Sequence, residues 1–79
     1  MSALQFAAQG NQAAVITYLL DVHNFDINEV DGKQSSALHW AIFNTNEIAL
    51  QFLLARNPDV NLQDIKGVTP LHLAVQSSE

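Results

Sequence analysis

Two histidines and one tryptophan are the residues whose types could do chemistry. His39 and His72 lie 33 positions apart in two similar stretches, and Trp40 directly follows the first of them. A shared metal ion would have to lie about 2 Å from each imidazole nitrogen. Equivalent positions of neighbouring packed helices lie roughly 10 Å apart, which is too far to share an ion. We therefore expect each imidazole to bond backbone groups of a neighbouring turn and to tie two segments together.

No motif for covalent or phosphate chemistry accompanies these residues. The chain has no cysteine, no Gly-x-Ser-x-Gly sequence and no glycine-rich phosphate loop. Four aspartates fall at turns, where carboxylates commonly bond the local backbone. They are Asp26, Asp31, Asp59 and Asp64. The sequence predicts a protein that is not an enzyme and that uses no metal and no cofactor.

Composition and charge restrict the possible partners. The 79 residues are 48% hydrophobic, which is too apolar for a disordered tail and enough for one small domain. The net charge is −5, and no two of the basic residues Lys33, Arg56 and Lys66 are adjacent, which argues against nucleic acid and anionic membrane. No apolar run approaches the roughly 20 residues that cross a bilayer. We expect no direct membrane insertion and a location in the cytoplasm or on the cytoplasmic side of a membrane protein.

The histidines belong to a stretch that recurs along the chain. Residues 36–41 read Ser-Ala-Leu-His-Trp-Ala, residues 69–74 repeat the pattern 33 positions later, and residues 2–7 anticipate it 34 positions earlier. A fixed period of this size is typical of stacked repeat proteins. Each copy begins with Ser or Thr, which are good helix N-caps. The stretch is therefore interpreted as the opening of a helix that repeats.

Apolar spacing predicts pairs of short helices joined by tight turns. The predicted helices cover residues 2–9, 13–21, 37–44, 47–55 and a final segment from 70. Between the pairs, Asp31-Gly32-Lys33 and the stretch 64–67 predict projecting β-turns. We expect Asn46 to cap the fourth helix. We also expect Asn44 to take a positive φ before it, because the β-branched Thr45 would be strained there.

These residues resemble ankyrin repeats, whose unit is a β-turn, two antiparallel helices and a loop. The family motif Thr-Pro-Leu-His-x-Ala opens the first helix, and residues 64–74 match it nearly completely. The resemblance covers essentially the whole chain. It implies an all-α solenoid of stacked antiparallel helix hairpins with projecting β-turns, about 2.5 repeats long.

The resemblance also implies where the repeats begin and end. We expect one unit over residues 1–79, with a partial repeat at 1–30, a full repeat at 31–63 and a partial repeat at 64–79. Repeat proteins are stabilised by neighbour interfaces and need polar caps. We therefore expect the chain to be part of a longer array, and we expect self-association through an uncovered C-terminal repeat face.

In ankyrin proteins, partners usually lie against the concave face made by the turn tips and the first helices. Carried over by position, the resemblance implies a non-catalytic module that binds a protein or peptide in this groove. The predicted partner-binding residues are Lys33, Ser35, Trp40, Phe43, Asn44, Ile65, Lys66, Val68 and Gln76. Exposed apolar side chains such as Phe43 and Ile65 indicate a dry contact centre. Two alternatives stay open, namely that Phe43 packs on the adjacent turn and that Trp40 packs between repeats.

A narrower resemblance concerns the stretch 38–41, Leu-His-Trp-Ala. It is similar to the ankyrin domains that precede the membrane region of some DHHC-type protein S-palmitoyltransferases, where such a Trp and an Asn of a neighbouring repeat help to hold substrate peptides. Trp40 and Asn44 are both present, whereas the following repeat has Leu73 in place of Trp. This resemblance implies an alternative function as the regulatory or substrate-recruiting region of such an enzyme. A structural spacer within a longer solenoid is a second alternative.

Two loop asparagines resemble modification sites. Asp26-Ile27-Asn28 and the equivalent 59–61, each preceded by leucine, follow the pattern that asparaginyl hydroxylases accept in ankyrin repeats. The resemblance implies that Asn28 and Asn61 are hydroxylated. The alternative is that both side chains only bond the loop backbone.

Overall fold

Helices connected by turns and loops make up the described part of the chain. The computed structural model describes residues 2–77, with the surroundings of side chains for residues 2–73. The helices are α1 (Ala3–Gln9), α2 (Ala13–Asp21), α3 (Ala37–Phe43), α4 (Glu47–Leu54) and α5 (Pro70–Ser77). Residues 2–77 contain no strand, and the all-α prediction is confirmed. None of these helices has the length and apolar character needed to cross a bilayer.

The first helices of the repeats begin with a reciprocal cap. Ser2 Oγ accepts the backbone N–H of Gln5 at 3.3 Å, and Ser36 Oγ accepts that of His39 at 3.4 Å. In return, Gln5 Oε1 accepts Ser2 N at 2.8 Å and His39 Nδ1 accepts Ser36 N at 3.0 Å. Each cap satisfies N–H groups that the first turn leaves unpaired. The predicted serine caps are confirmed.

The turn between paired helices places its left-handed residue where the sequence did not predict it. Thr45 has φ 53°, whereas Asn44 ends α3 at φ −99°, so the expectation for Asn44 was wrong. The cause is the hydrogen bonding of the turn, in which Thr45 N donates to Ile42 O at 3.0 Å and Asn46 N to Ala41 O at 2.8 Å. That pattern fixes the second residue after the helix as the left-handed one, at a strain of about 1–3 kcal/mol.

The hairpins stack in register, so that like helices contact like. α1 packs on α3, α3 on α5, and α2 on α4. Small side chains let the helices approach closely, and larger aliphatic ones fill the gaps. The buried core cluster consists of Leu4, Ala7, Ala8, Ile16, Ala37, Leu38, Ala41, Ala49 and Leu53.

The cap of α4 differs from the predicted one because of hydrogen bonds between the hairpin turns. Asn46 stands at the N-cap position, but its Nδ2 donates to Ala8 O at 2.8 Å and to Gln9 O at 2.7 Å. The helix is capped instead by Asn11 of the preceding hairpin, whose Oδ1 accepts Ala49 N at 3.0 Å. The expectation that Asn46 caps α4 was therefore wrong, because the side-chain amide of each turn asparagine bonds the neighbouring hairpin instead of its own.

Candidate functional site

His39 joins the middle hairpin to the next turn. The ring is fully buried, and its Nδ1 accepts the Ser36 backbone N–H. The proton of the neutral imidazole therefore resides on Nε2, which donates to Val68 O at 2.9 Å. The interpretation of His39 as a tie between repeats is confirmed.

Gln5 makes the same connection one repeat earlier, and the sequence prediction missed it. Its Oε1 accepts Ser2 N, as the Nδ1 of His39 accepts Ser36 N. Its Nε2 donates to Glu29 O at 3.2 Å and to Ser35 O at 3.4 Å. The sequence feature that could have indicated this role is the alignment of residues 2–7 with 36–41, which places Gln5 opposite His39.

Within the described part of the chain, His72 makes the bond to its own capping residue but not the bond to a following turn. Its Nδ1 accepts Thr69 N at 3.3 Å, but the side chain is exposed, and its Nε2 has no hydrogen-bond partner among residues 2–73. Across the described residues, no group of three His, Asp or Glu side chains could hold a metal ion.

The two turn tips are each organised by an aspartate. Asp31 Oδ1 accepts Lys33 N at 2.8 Å and Ser35 N at 3.0 Å. Asp64 Oδ1 accepts Lys66 N and Val68 N, both at 2.9 Å. These bonds are the local backbone role that was predicted for turn aspartates.

A backbone bond between the tips holds them side by side. Ile65 N donates to Lys33 O at 2.9 Å. The left-handed position of each tip follows its lysine, at Gln34 with φ 60° and at Gly67 with φ 78°. The tips therefore form one rigid edge rather than two independent loops.

Trp40 is held against the first tip. It is half-buried, and its Nε1 donates to Asp31 Oδ2 at 2.9 Å. Burial acts to raise the pKa of Asp31, but hydrogen bonds from Ser35 N, Lys33 N and the indole outweigh it and lower that pKa below its usual 3.8. The ring of Phe43 meets the indole edge-on, with centroids 5.9 Å apart. The indole is thus fixed in orientation while part of it faces outward.

A pocket of about 270 Å³ opens between the tips and the first helices, and we call it the turn-tip pocket. Its lining residues are Lys33, Ser35, Trp40, Phe43, Asp64, Ile65, Lys66, Val68 and Leu73. Phe43 is 48% exposed and Ile65 65% exposed, so both present apolar surface to a ligand. Ser35 is buried and contributes only to the floor.

The structure brings most of the predicted partner-binding residues to this one pocket. Asp64 and Leu73 also line it and were missed. Leu73 stands 33 positions after Trp40, so the repeat register could have indicated it, whereas Asp64 was predicted only to bond the local backbone. Asn44 lies outside the lining and is exposed, with its Nδ2 donating to Trp40 O at 2.9 Å. The side chain of Gln76 lies outside the described residues. Whether these residues bind a partner stays a prediction.

A second apolar groove lies beside α4 and α5. Its volume is about 190 Å³. The lining residues are Leu38, Ile42, Leu50, Leu54, Val60, Pro70 and Leu71. We call it the helix-side groove. The expected self-association through an uncovered C-terminal repeat face stays a prediction.

The two loop asparagines differ in their surroundings. Asn28 is half-buried, and its Oδ1 accepts Asp59 N at 2.8 Å. Asn61 is exposed, and its backbone N–H donates to Asp59 Oδ1 at 2.9 Å. Hydroxylation of either residue stays a prediction, and mass spectrometry of the cellular protein that finds both unmodified would contradict it.

Stacked helix hairpins with hydrogen-bonded β-turn tips define a class of solenoid proteins. A family model described as ankyrin repeats (3 copies) matches residues 4–79. The chain belongs to the ankyrin repeat family, as the resemblance implied. Ankyrin repeats are a non-catalytic fold that generally mediates protein–protein interaction.

Relatives of known sequence and structure agree with this family. Palmitoyltransferase ZDHHC17 of Danio rerio is 39% identical over 77 residues, which are 96% of this chain and 12% of the relative. SMC5-SMC6 complex localization factor protein 1 of Homo sapiens is 36% identical over 77 residues, 96% of this chain and 7% of that protein. The ankyrin repeat domain of human ASB11 superimposes with a TM-score of 0.82 at 27% identity, covering 94% of this chain and 33% of that one. The chain thus spans a minor part of each relative.

Proposed function

We propose that this chain is an interaction module that binds a protein or peptide segment in the turn-tip pocket. The observation that carries the proposal is the half-buried Trp40 between Phe43 and the paired turn tips. At protein interfaces a few residues supply most of the binding energy, and tryptophan is enriched among them. The proposed location is the cytoplasm or the cytoplasmic side of a membrane protein.

The rigidity of the pocket supports this proposal. The indole is held by Asp31 at 2.9 Å, and the second tip is held by the bond from Ile65 N to Lys33 O at 2.9 Å. Binding loses roughly 0.5–1.5 kcal/mol for each flexible side chain that it immobilises. Groups that are already fixed avoid this loss, so a small pocket can still give useful affinity.

Peptide selection tests the proposal without knowledge of the partner. A random dodecapeptide library displayed on phage is selected on the purified chain, and recovered peptides are synthesised and titrated. Trp40 is the only tryptophan, so its fluorescence reports binding in the pocket directly. We expect a saturable change in emission, and a loss of affinity of roughly tenfold or more in a Phe43→Ser, Ile65→Ser double variant, as interface hot spots show.

A matched control separates binding from stability. Ile48 is 55% exposed on α4 and does not line the pocket, so Ile48→Ser should leave peptide affinity unchanged. Thermal unfolding confirms that all variants fold. Equal affinity in the wild type and the folded double variant would refute the turn-tip pocket as the binding site.

A second candidate is that the chain recruits substrates for a membrane palmitoyltransferase. The observation in its favour is the 39% identity to ZDHHC17, together with Trp40 in the stretch 38–41 and Asn44 one turn later. The remaining alternative is a spacer within a longer array. The sequence of the full-length protein distinguishes these two. A membrane region with a Cys-rich acyltransferase motif supports substrate recruitment, and many further repeats support the spacer.

A further inference from the structure

We propose that the turn-tip pocket selects peptides that carry a carboxylate beside an apolar anchor. The apolar anchor fills the space between Trp40, Phe43 and Ile65, and the carboxylate pairs with Lys33 or Lys66 at the rim. This inference rests on the proposed function and adds the chemistry of the partner to it.

The distribution of positive charge is the first observation behind this inference. The chain has a net charge of −5 and three basic residues. Arg56 is already paired with Asp21 at 2.7 Å. Lys33 and Lys66 are exposed, line the same pocket, and have no ion-pair partner among residues 2–73. Both lysines without an ion-pair partner therefore lie at one pocket, which Asp64 also lines.

The aspartates beneath the tips leave this positive charge available. Asp31 and Asp64 are only partly exposed, and each directs one carboxylate oxygen at two backbone N–H groups of its own turn. The second oxygen of Asp31 accepts the indole N–H. The carboxylates are thus stabilised by N–H donors of the protein itself. The lysine side chains instead extend into solvent, where an incoming carboxylate meets them first.

The spacing of the tips suits an extended peptide. Lys33 and Lys66 occupy equivalent positions of adjacent turns, and stacked repeats lie roughly 10 Å apart. An extended chain advances about 3.3 Å per residue, so about three residues cover that distance. Because both lysines line the pocket that holds the anchor, a carboxylate within about three positions of the anchor reaches one of them.

The test compares peptides selected on two proteins. The same phage library is selected on the wild type and on a Lys33→Gln, Lys66→Gln double variant. We expect Asp and Glu to be enriched near an apolar residue in the wild-type pool and not in the variant pool. Changing the acidic residues of the strongest wild-type peptide to Gln should weaken binding roughly two- to fivefold, as expected for exposed charge pairs. That difference should vanish at 1 M salt, where the screening length is about 3 Å.

A control for net charge is available on the second helices. Ala14 and Gln51 are exposed on α2 and α4, so Ala14→Glu with Gln51→Glu changes the net charge as much as the double lysine variant does. This control should select the same acidic peptides as the wild type. A wild-type pool of pocket binders without acidic enrichment would overturn the carboxylate inference and leave the proposed function standing. An empty pool would contradict both.

Discussion

At the scale of single residues, Gln5 and His39 occupy equivalent positions of two repeats and make the same pair of hydrogen bonds with different side chains. Both accept the N–H of a capping serine and donate to a carbonyl of the following turn. A primary amide offers an acceptor and a donor in fixed relation, as a neutral imidazole does. The family motif has histidine at this position, but the two hydrogen bonds require only one acceptor and one donor in the right geometry.

A pair of substitutions at residue 39 tests this equivalence. We expect His39→Gln to retain most of the stability, because its amide can bond both Ser36 and Val68. His39→Leu should lose about 1–3 kcal/mol, because it leaves the buried Ser36 N–H without its partner and removes one of the two donors to Val68 O. Urea unfolding measures both. Equal destabilisation by Gln and Leu would show that ring packing, not bonding, is what residue 39 contributes.

At the scale of elements, the equivalent turn residues Asn11 and Thr45 share a conformation but not a function. Their φ values are 56° and 53°. Asn11 also accepts Ala49 N and so caps α4, while Thr45 is an exposed β-branched residue in the same strained position. The same substitution should therefore have opposite effects at the two sites.

Glycine at each turn checks this difference. Thr45→Gly should stabilise the protein by about 1 kcal/mol, because glycine takes positive φ without strain. Asn11→Gly should destabilise it by about 0.5–1 kcal/mol, because the hydrogen bond from Ala49 N is lost while the backbone is still accommodated. Denaturant midpoints measure both. If Asn44→Gly stabilised the chain and Thr45→Gly did not, the assignment of the left-handed residue would be wrong.

The helices could be predicted from the sequence because their determinants are local. Ser2 and Ser36 lie directly before the helices that they cap, and the 33-residue period repeats the signal. The caps and ties that were missed have partners far along the chain. Asn46 bonds residue 8, and Asn11 bonds residue 49. Such pairs emerge only when the repeats are stacked, so no local pattern contains them.

At the scale of the whole molecule, the two pockets lie on surfaces of different character. The turn-tip pocket was largely anticipated, because the repeat register places Lys33 with Lys66 and brings Trp40 to the tips. Asp64 and Leu73 were not predicted to line it, because Asp64 was interpreted only as a turn aspartate and Leu73 only as a replacement of Trp. The helix-side groove is lined by apolar residues alone, with Leu54 45% and Leu71 57% exposed.

The helix-side groove leads to a prediction about association. We expect the chain to dimerise reversibly at high micromolar concentration, because contiguous exposed apolar surface favours burial. Leu54→Lys with Leu71→Lys should yield a monomer, since two buried like charges oppose the contact. Sedimentation velocity over a concentration series measures this. Ile48→Lys with Phe52→Lys, at exposed positions outside the groove, should leave dimerisation unchanged.

Monomeric wild type at all concentrations would contradict the prediction of self-association. Unchanged dimerisation in the Leu54→Lys, Leu71→Lys variant would instead place the contact on another surface.

The crossed asparagine bonds between hairpin turns also govern how the chain comes apart. Asn11 of the first hairpin caps α4 of the second, and Asn46 of the second binds the end of α1 in the first. Neither hairpin can open without depriving the other of hydrogen bonds that water must then replace. We therefore expect the two hairpins to unfold together rather than one after the other, because these bonds add to the interface that stabilises stacked repeats.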